Sequence, residues 1–283
     1  MCYIVRAQDR DSLYSCARRF VQPFEILCCA LMEQIVSKDK NVYLILSQSS
    51  IDAAVVKGVF TYGERGVTVL SCLPYRDDEV KKCLMSFFRG KSVFCLSGDK
   101  DYVDFLSCIL LLTRHKKPSD VREMFFMTYD DRRKKVSHAG GDYDILLCRS
   151  DYIDELMPLQ TDYMQKEVMP CNTKVSPAAE RLYLEKCINK CNIYVLMYKG
   201  HIVSKVHFNA QSPLCNQLGG VYTLGDYRGR GYAGYLIEYM TELGLKQGKQ
   251  TVLFVKENNE SAIKCYTRCG FIITGRYSIV YYL

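Results

Sequence analysis

The sequence predicts an α/β protein with a mixed sheet, built from two units. Segments with helical spacing of apolar residues alternate with short apolar runs of strand length along the whole chain. A charged, glycine-containing stretch at 130–141 separates the two halves. With 283 residues, 48% of them hydrophobic, the chain is long enough for two cores, and we place the domains at 1–137 and 138–283.

The first half begins with about 40 residues whose apolar spacing is helical. Turn residues at 62–66 then predict a hairpin between two apolar runs. The predicted strands are 42–46, 53–62, 67–73, 93–97 and 121–129, and the later helices are 77–88 and 101–113.

The second half follows the same order of elements. Its predicted helices are 151–168, with a kink at Pro158, then 177–190, 232–246 and one after Asn259. Its predicted strands are 143–148, 192–198, 201–210, 219–223, 251–255 and 277–282.

The most informative stretch is 221–234, where a strand, a turn rich in Gly and Arg, and a helix follow one another. A helix N-terminus binds anions because its first N–H groups are unpaired and its dipole is positive there. Gly229-Arg-Gly231-Tyr-Ala-Gly234 also satisfies the dinucleotide fingerprint G-x-G-x-x-G. That interpretation is disfavoured, because Leu224 to Arg228 separate the strand from the first glycine and no carboxylate follows about 20 residues later.

Two motifs together resemble a known family. Arg228-Gly-Arg-Gly231-Tyr-Ala233 is similar to the pyrophosphate loop R/Q-x-x-G-x-G/A of the GNAT superfamily of N-acetyltransferases. Farther on, Asn259, Ala262, Tyr266 and Gly270-Phe271 resemble that family's N-x-x-A-x-x-x-Y-x-x-x-G-F. The resemblance implies a GNAT acyl-CoA N-acyltransferase fold over about residues 138–283.

The resemblance also implies roles for single residues. The strand before the loop would hold the pantetheine arm of acetyl-CoA, with the N–H of Val221 or a neighbour polarising the thioester carbonyl. Tyr266 would be the general acid that protonates the departing thiolate. The implied acetyl-CoA-binding residues are Val221, Tyr222, Thr223, Arg228, Gly229, Arg230, Gly231, Tyr232, Ala233, Gly234 and Asn259.

Each role has a plainer alternative. Tyr266 is one of 22 tyrosines and could simply pack, and Arg228 and Arg230 could be solvated surface charges. For the general base, Glu167 and His207 rank first. Asp226 and Glu257 are weaker candidates. Cys215 is a further candidate, as an acceptor of the acyl group, but direct transfer without a covalent enzyme intermediate is the usual mechanism in the family.

The first half repeats the element order of the second but not its loop. At the corresponding place the chain reads Leu73-Pro-Tyr-Arg-Asp-Asp-Glu79, with no glycine and three acids. Acids there would repel a pyrophosphate. We therefore predict a degenerate GNAT-like lobe in the N-terminal half; an unrelated α/β domain is the alternative.

Composition excludes several other classes. The net charge of +7 is mild, and the basic cluster at 132–135 is typical of a solvated linker rather than a nucleic-acid site. The 15 cysteines form no C-x-x-C pair, and the N-terminus lacks a signal peptide, which indicates a reduced, cytoplasmic protein. Four scattered histidines (His115, His138, His201 and His207) favour no metal site, and the apolar run at 105–112 is too short for a bilayer.

The sequence thus predicts an acyl-CoA-dependent N-acetyltransferase acting on a small-molecule or amino-acid-like amine, with neither nucleic acid nor membrane as partner. Two alternatives stay open: a CoA-binding sensor or scaffold without turnover, and a transferase with a bulkier acyl or aminoacyl donor. The acceptor amine is not encoded in the motif. It is equally open whether the first half contributes one wall of the acceptor site or mediates the formation of a homodimer.

Overall fold

The computed structural model describes residues 2–47, 55–63, 68–114, 117–133, 142–169, 175–190 and 192–282. Its strands are β1 (Tyr3–Arg6), β2 (Val42–Leu46), β3 (Val56–Thr61), β4 (Thr68–Cys72), β5 (Cys95–Asp99), β6 (Asp120–Tyr129), β7 (Tyr143–Leu147), β8 (Ile193–Tyr198), β9 (His201–Gln211), β10 (Cys215–Thr223), β11 (Gln250–Lys256) and β12 (Phe271–Tyr281). Its α-helices are α1 (Asp11–Val21), α2 (Cys29–Val36), α3 (Asp78–Phe88), α4 (Lys100–Arg114), α5 (Ile153–Tyr163), α6 (Pro177–Asn189), α7 (Tyr232–Lys246) and α8 (Glu260–Arg268).

The two halves have the same order of elements. Each runs strand, two helices, three strands, helix, strand, helix, strand. In each, an antiparallel meander leads to a parallel pair, β4 with β5 and β10 with β11, and a helix connects the two parallel strands. The mixed α/β class and the internal repetition predicted from the sequence are therefore confirmed.

All twelve strands join in one sheet, and the halves exchange strands within it. The order is β1-β2-β3-β4-β5-β12-β6-β11-β10-β9-β8-β7. The last strand, β12, pairs antiparallel with β5 of the first half, and β6 of the first half pairs antiparallel with β11. The predicted boundary at 137/138 lies outside the described residues, so the division into domains stays a prediction.

Apolar cores cover both faces of the C-terminal part of the sheet. Helices α7 and α8 pack on one side, where Leu236 and Ile237 of α7 share a core with Phe271 of β12. Helices α5 and α6 bury Leu156 and Leu184 against β8 and β9 on the other. The open end of the β10–β11 pair therefore lies between two helical layers.

Several predicted boundaries are corrected. The first 40 residues are not all helical, because Tyr3–Arg6 forms an edge strand paired with β2, too short to show a period in sequence. Strand β10 begins at Cys215 and β12 at Phe271, both earlier than predicted, since polar residues and glycine obscure the alternation. Helix α5 continues past Pro158 and passes into a π-helical turn at Met164–Val168.

Most of the described cysteines are buried or partly buried. The structure describes 13 of them, each a free thiol. Cys265 and Cys269 both contribute to the core beneath α7 and α8. Within the described ranges no group of three or more potential ligands is placed to hold a metal ion. None of the helices described is long and apolar enough to cross a bilayer.

Candidate functional site

The site is built on the separation of two parallel strands. Strands β10 and β11 pair only from Cys215 with Gln250 to Gln217 with Val252. Beyond this, β10 continues to Thr223 and β11 to Lys256 without pairing with each other, throughout a fully described stretch. Ligands of α/β sheets bind outside the carboxyl ends of parallel strands, and here those ends diverge into a cleft.

A β-bulge lies at the point where the strands separate. In the β9–β10 ladder Gly219 pairs with His207 and Tyr222 with Lys205, so Gly220 and Val221 together face one residue. Gly220 has a left-handed φ of 58°, and a Cβ there would lie 2.0 Å from the His207 ring. Only glycine fits, and the bulge takes the Gly220–Val221 peptide out of the regular ladder.

The loop after β10 presents backbone N–H groups to solvent. Gly225–Tyr227 forms a 3-10 turn, and Gly231 is the N-cap of α7 in a left-handed conformation with φ of 84°. Gly231 offers no side chain to cap the helix, and Arg228 through Gly231 are exposed. The first turn of α7 is therefore exposed and uncapped by a side chain, and its binding of an anion stays a prediction.

Local contacts hold both loop arginines. Arg228 Nε donates a hydrogen bond to the Thr223 carbonyl at 3.0 Å, and its guanidinium lies 5.1 Å from the centre of the Tyr222 ring. Arg230 donates to the Asp226 carbonyl at 3.1 Å. Each guanidinium keeps further donors for a ligand, because one N–H of its five is used in the bond described.

Asn259 has a structural role in addition to the predicted one. It is the N-cap of α8, where its Oδ1 accepts a hydrogen bond from the Ala262 N–H at 3.1 Å. Such a cap stabilises a helix by about 1 kcal/mol. Contact with acetyl-CoA stays a prediction for this residue, and its side-chain Nδ2 is the group left for it.

Tyr266 lies half-buried on α8, with its ring 6.2 Å from that of Phe271. Burial is the main cause that raises its pKa above the ordinary tyrosine value, and the nearby ionisable groups Cys265, Tyr163, Cys269 and Glu167 raise it further. The phenol is therefore protonated at neutral pH, which a proton donor requires. Packing and proton donation are compatible at this position.

Glu167 lies beside the cleft in the π-helical turn that follows α5. Its Oε2 is 3.3 Å from Nζ of Lys256, the last residue of β11. Both side chains are about one-third exposed. The structure thus brings this carboxylate to the end of the splayed strands, but as a partner in an ion pair.

His207, the second base candidate, lies beneath the bulge. It is only 3% exposed, with Nε2 2.9 Å from Asn209 Oδ1 and 3.1 Å from Tyr183 Oη. Burial, and then the charge of Lys205, lower its pKa to about 3. The imidazole is neutral at physiological pH but enclosed, so its predicted role as base depends on movement around it.

The remaining candidates are more peripheral. Asp226 is exposed in the 3-10 turn, and Glu257 pairs with Arg276 at 3.8 Å. Cys215 is fully buried, and a hydrogen bond to Cys29 together with burial raises the pKa of its thiol. A buried thiol with a raised pKa is a poor nucleophile, in line with the low rank it has from sequence.

The buried histidine should make the protein sensitive to mild acid. Below the unfolded pKa of about 6.5 the unfolded chain binds a proton at this residue, but the folded chain does so only near pH 3. We expect this group alone to lower the free energy of unfolding by about 2 kcal/mol between pH 7 and pH 5. Urea unfolding at both pH values of wild type and His207→Gln measures it.

The exposed His201 provides the control for this prediction. His201→Gln should leave the pH dependence as in wild type, whereas His207→Gln should flatten it between pH 7 and pH 5. Equal pH dependence in His207→Gln and wild type would show that the imidazole does not stay neutral in the folded protein.

A group of side chains that lies directly under the bulge is not predicted from the sequence. Lys205 is fully buried, with Nζ 3.1 Å from the Gly220 carbonyl and 4.4 Å from the centre of the Tyr163 ring. Burial lowers the pKa of Lys205 to about 7, against the opposing influence of Cys187 and Glu180. Burial also raises the pKa of Tyr163 to about 12, despite a hydrogen bond with the Gly220 backbone. Side chains alternate between the two faces of a strand, so residues 205, 207 and 209 of β9 lie on one face. This alternation is the sequence pattern from which the group could have been found.

In the described part of the N-terminal half, the helix N-terminus that corresponds to that of α7 is capped by a side chain. At the corresponding position Asp77 is the N-cap of α3, and its carboxylate accepts the Val80 N–H at 2.9 Å. Asp78 and Glu79 occupy the first turn. The helix N-terminus is thus filled by the chain's own negative charge, which supports a single phosphate site in the C-terminal half.

Comparison with known proteins agrees with this architecture. Residues 156–271 match the model of the acetyltransferase (GNAT) family. No curated protein sequence matches the chain.

Three solved structures of similar fold extend over the whole chain. They are a GNAT-family acetyltransferase from Colwellia psychrerythraea (TM-score 0.61, 11% identity, 100% of both chains), a Drosophila protein (0.62, 13%, 99% of this chain and 98% of that one), and a tandem GNAT protein from the clavulanic acid biosynthesis pathway (0.60, 10%, 99% and 97%). At these identities the likeness concerns the fold alone. It confirms that the fold is GNAT-like over the whole chain.

Proposed function

We propose that this chain transfers the acetyl group of acetyl-CoA to a primary amine of a small-molecule or amino-acid-like acceptor, and the match of residues 156–271 to the acetyltransferase (GNAT) family model supports this. One observation carries the proposal. A bulged, splayed strand pair leads directly into an open, glycine-capped helix N-terminus, and among the described residues this arrangement is found in the C-terminal half.

The residues present fit a CoA-type donor. The amides from Arg228 to Gly234 and the Arg228 guanidinium would hold the pyrophosphate, since the helix end is uncapped and exposed. Strand residues 221–223, which no longer pair with β11, would hold the pantetheine arm through their backbone groups. The net charge of +7 also suits a polyanionic substrate.

The proposed chemistry is direct acyl transfer. The amine nitrogen attacks the thioester carbonyl carbon, a C–N bond forms, and the C–S bond breaks. The Val221 N–H would stabilise the oxyanion, and Tyr266 would give its proton to the leaving thiolate and regain one from solvent. The proton lost by the ammonium would go to Glu167, once its ion pair with Lys256 opens, or to His207.

The proposed partners are small molecules, with neither nucleic acid nor membrane among them. A cytoplasmic location, in which the free thiols stay reduced, is part of the same proposal. The acceptor lies on the side of α5 and α6, where Glu167 and Tyr163 flank the cleft.

Thiol release across a broad panel of amines, with acetyl-CoA as donor, tests the function. We expect acetyl-CoA to raise the melting temperature and at least one class of primary amine to accelerate thiol release. Binding without turnover for every amine would favour a CoA sensor. Weak binding of acetyl-CoA with strong binding of a bulkier acyl-CoA would favour a different donor.

Removing the loop charge should weaken donor binding. For Arg228→Gln we expect the Kd for acetyl-CoA to rise about tenfold or more, because a charge-assisted hydrogen bond to phosphate contributes about 1.5–3 kcal/mol. Calorimetric titration measures it. Arg132→Gln, an exposed arginine paired with Asp130 outside the site, is the control and should not change the Kd. An unchanged Kd in Arg228→Gln would show that this side chain is only a surface charge.

A further inference from the structure

Resting on the proposed function, we propose that Lys205 is a positioning residue that strengthens the oxyanion donor. Its ammonium group hydrogen-bonds the carbonyl of Gly220, and that carbonyl belongs to the same peptide unit as the Val221 N–H. Lys205 therefore acts on the reaction through the backbone of the bulge, without touching the substrate.

The physical basis is the resonance of the peptide bond. A cation donating to the carbonyl oxygen increases the double-bond character of the C–N bond and the positive charge on the N–H. The distance from Lys205 Nζ to the Gly220 oxygen is 3.1 Å, and the bond is buried, where such polarisation is strongest. The peptide lies in the bulge, outside the regular ladder. Because the carbonyl and the N–H of a trans peptide point in opposite directions, the Val221 N–H points away from Lys205.

The burial of Lys205 is otherwise unexplained by stability. The side chain is fully buried, and no carboxylate lies within ion-pair distance of its Nζ among the described residues. A buried, unpaired ammonium destabilises a fold, and an apolar side chain of similar volume is normally more stable there. Instead, the ammonium nitrogen of Lys205 lies 4.4 Å from the centre of the Tyr163 ring and donates a hydrogen bond to the Gly220 carbonyl.

Protonation of Lys205 should control the effect. With a pKa near 7, the ammonium is present below neutrality and is lost as the pH rises. The ionisable groups that face Lys205 are Tyr163 from α5, Glu180, Tyr183 and Cys187 from α6, and His207 from β9. Burial holds the tyrosines and Cys187 protonated and His207 neutral across this pH range, so their charges do not change with that of Lys205.

Isotope-edited infrared spectroscopy of bound acetyl-CoA tests the proposal without an acceptor. A stronger hydrogen bond to the thioester oxygen lowers the stretching frequency of the ¹³C-labelled acetyl carbonyl. In wild type we expect a red shift at pH 6 that diminishes with a midpoint near pH 7. In Lys205→Met the shift should be small and independent of pH, whereas the exposed Lys246→Met should behave as wild type.

The outcomes separate this inference from the proposed function. If acetyl-CoA binds but its carbonyl frequency does not respond to pH in wild type, the role of Lys205 is wrong, even if Lys205→Met fails to fold. If the frequency responds equally in wild type and in a folded Lys205→Met, another group is responsible and the inference is overturned. If acetyl-CoA does not bind at all, the proposed function itself fails, and the role of Lys205 with it.

Discussion

Replacing Tyr266 by Phe should lower kcat by about 10²–10⁴-fold while changing the Kd for acetyl-CoA little. The variant removes one oxygen atom, and with it the proton that the departing thiolate needs. The raised pKa of Tyr266 keeps that proton in place at neutral pH. Steady-state thiol release with the best amine of the panel measures kcat, and calorimetry measures the Kd.

Tyr239→Phe is the matched control, since Tyr239 is exposed on α7 and its ring contacts Tyr194. It should retain the wild-type rate. If Tyr266→Phe keeps the wild-type rate, the phenol packs and does not donate.

The second large effect concerns the glycine of the bulge. Gly220→Ala should lower the free energy of unfolding by about 2–5 kcal/mol, from the strain of a left-handed alanine and from overpacking. The new Cβ would lie 2.0 Å from the His207 ring at a φ of 58°. The bulge should also shift, so acetyl-CoA should no longer stabilise the protein against heat. Urea unfolding and thermal melts with ligand measure the two effects.

Substitutions at two other glycines distinguish the effect of backbone strain from that of the steric clash. Gly200 has a φ of 81° with open space around its Cβ, so Gly200→Ala reports strain without a clash. At Gly225 neither a positive φ nor a neighbour within 4 Å opposes a side chain, so Gly225→Ala should be neutral for stability. If Gly220→Ala lowers the free energy of unfolding no more than Gly200→Ala does, the His207 ring moves aside for the new Cβ without measurable destabilisation.

The loop and the helix after it could be predicted from sequence because their determinants are local. Gly229 and Gly231 allow the left-handed turns, and the periodicity from Tyr232 to Lys246 defines α7 with the bounds that the structure shows. The acids at 77–79 likewise predicted a loop that repels a pyrophosphate, and the structure adds the capping hydrogen bond that the Val80 N–H donates to Asp77. Such features depend on neighbours within one helical turn.

The parts that the sequence did not predict depend on distant residues. Exchange of β6 and β12 between the halves joins strands about 150 residues apart, as in the pairing of Tyr277 with Met124, and no local period encodes it. The burial of Lys205 under the bulge depends on Tyr163 from α5 and Gly220 from β10. From the sequence alone, Lys205 is an ordinary polar residue on a strand, and no local pattern indicates that it is buried.

We propose that the chain has one acyl-CoA site and that it lies at the glycine-capped end of α7. Calorimetric titration of wild type, Gly231→Asp and Gly231→Asn with acetyl-CoA measures the number of sites and their location. The aspartate would place at α7 the same carboxylate that Asp77 places at α3, and the asparagine has the same shape without the charge. We expect one equivalent bound per wild-type chain, loss of binding in Gly231→Asp, and retained, weaker binding in Gly231→Asn. Two equivalents per chain, or undiminished binding in Gly231→Asp, would show that the site lies elsewhere or is not single.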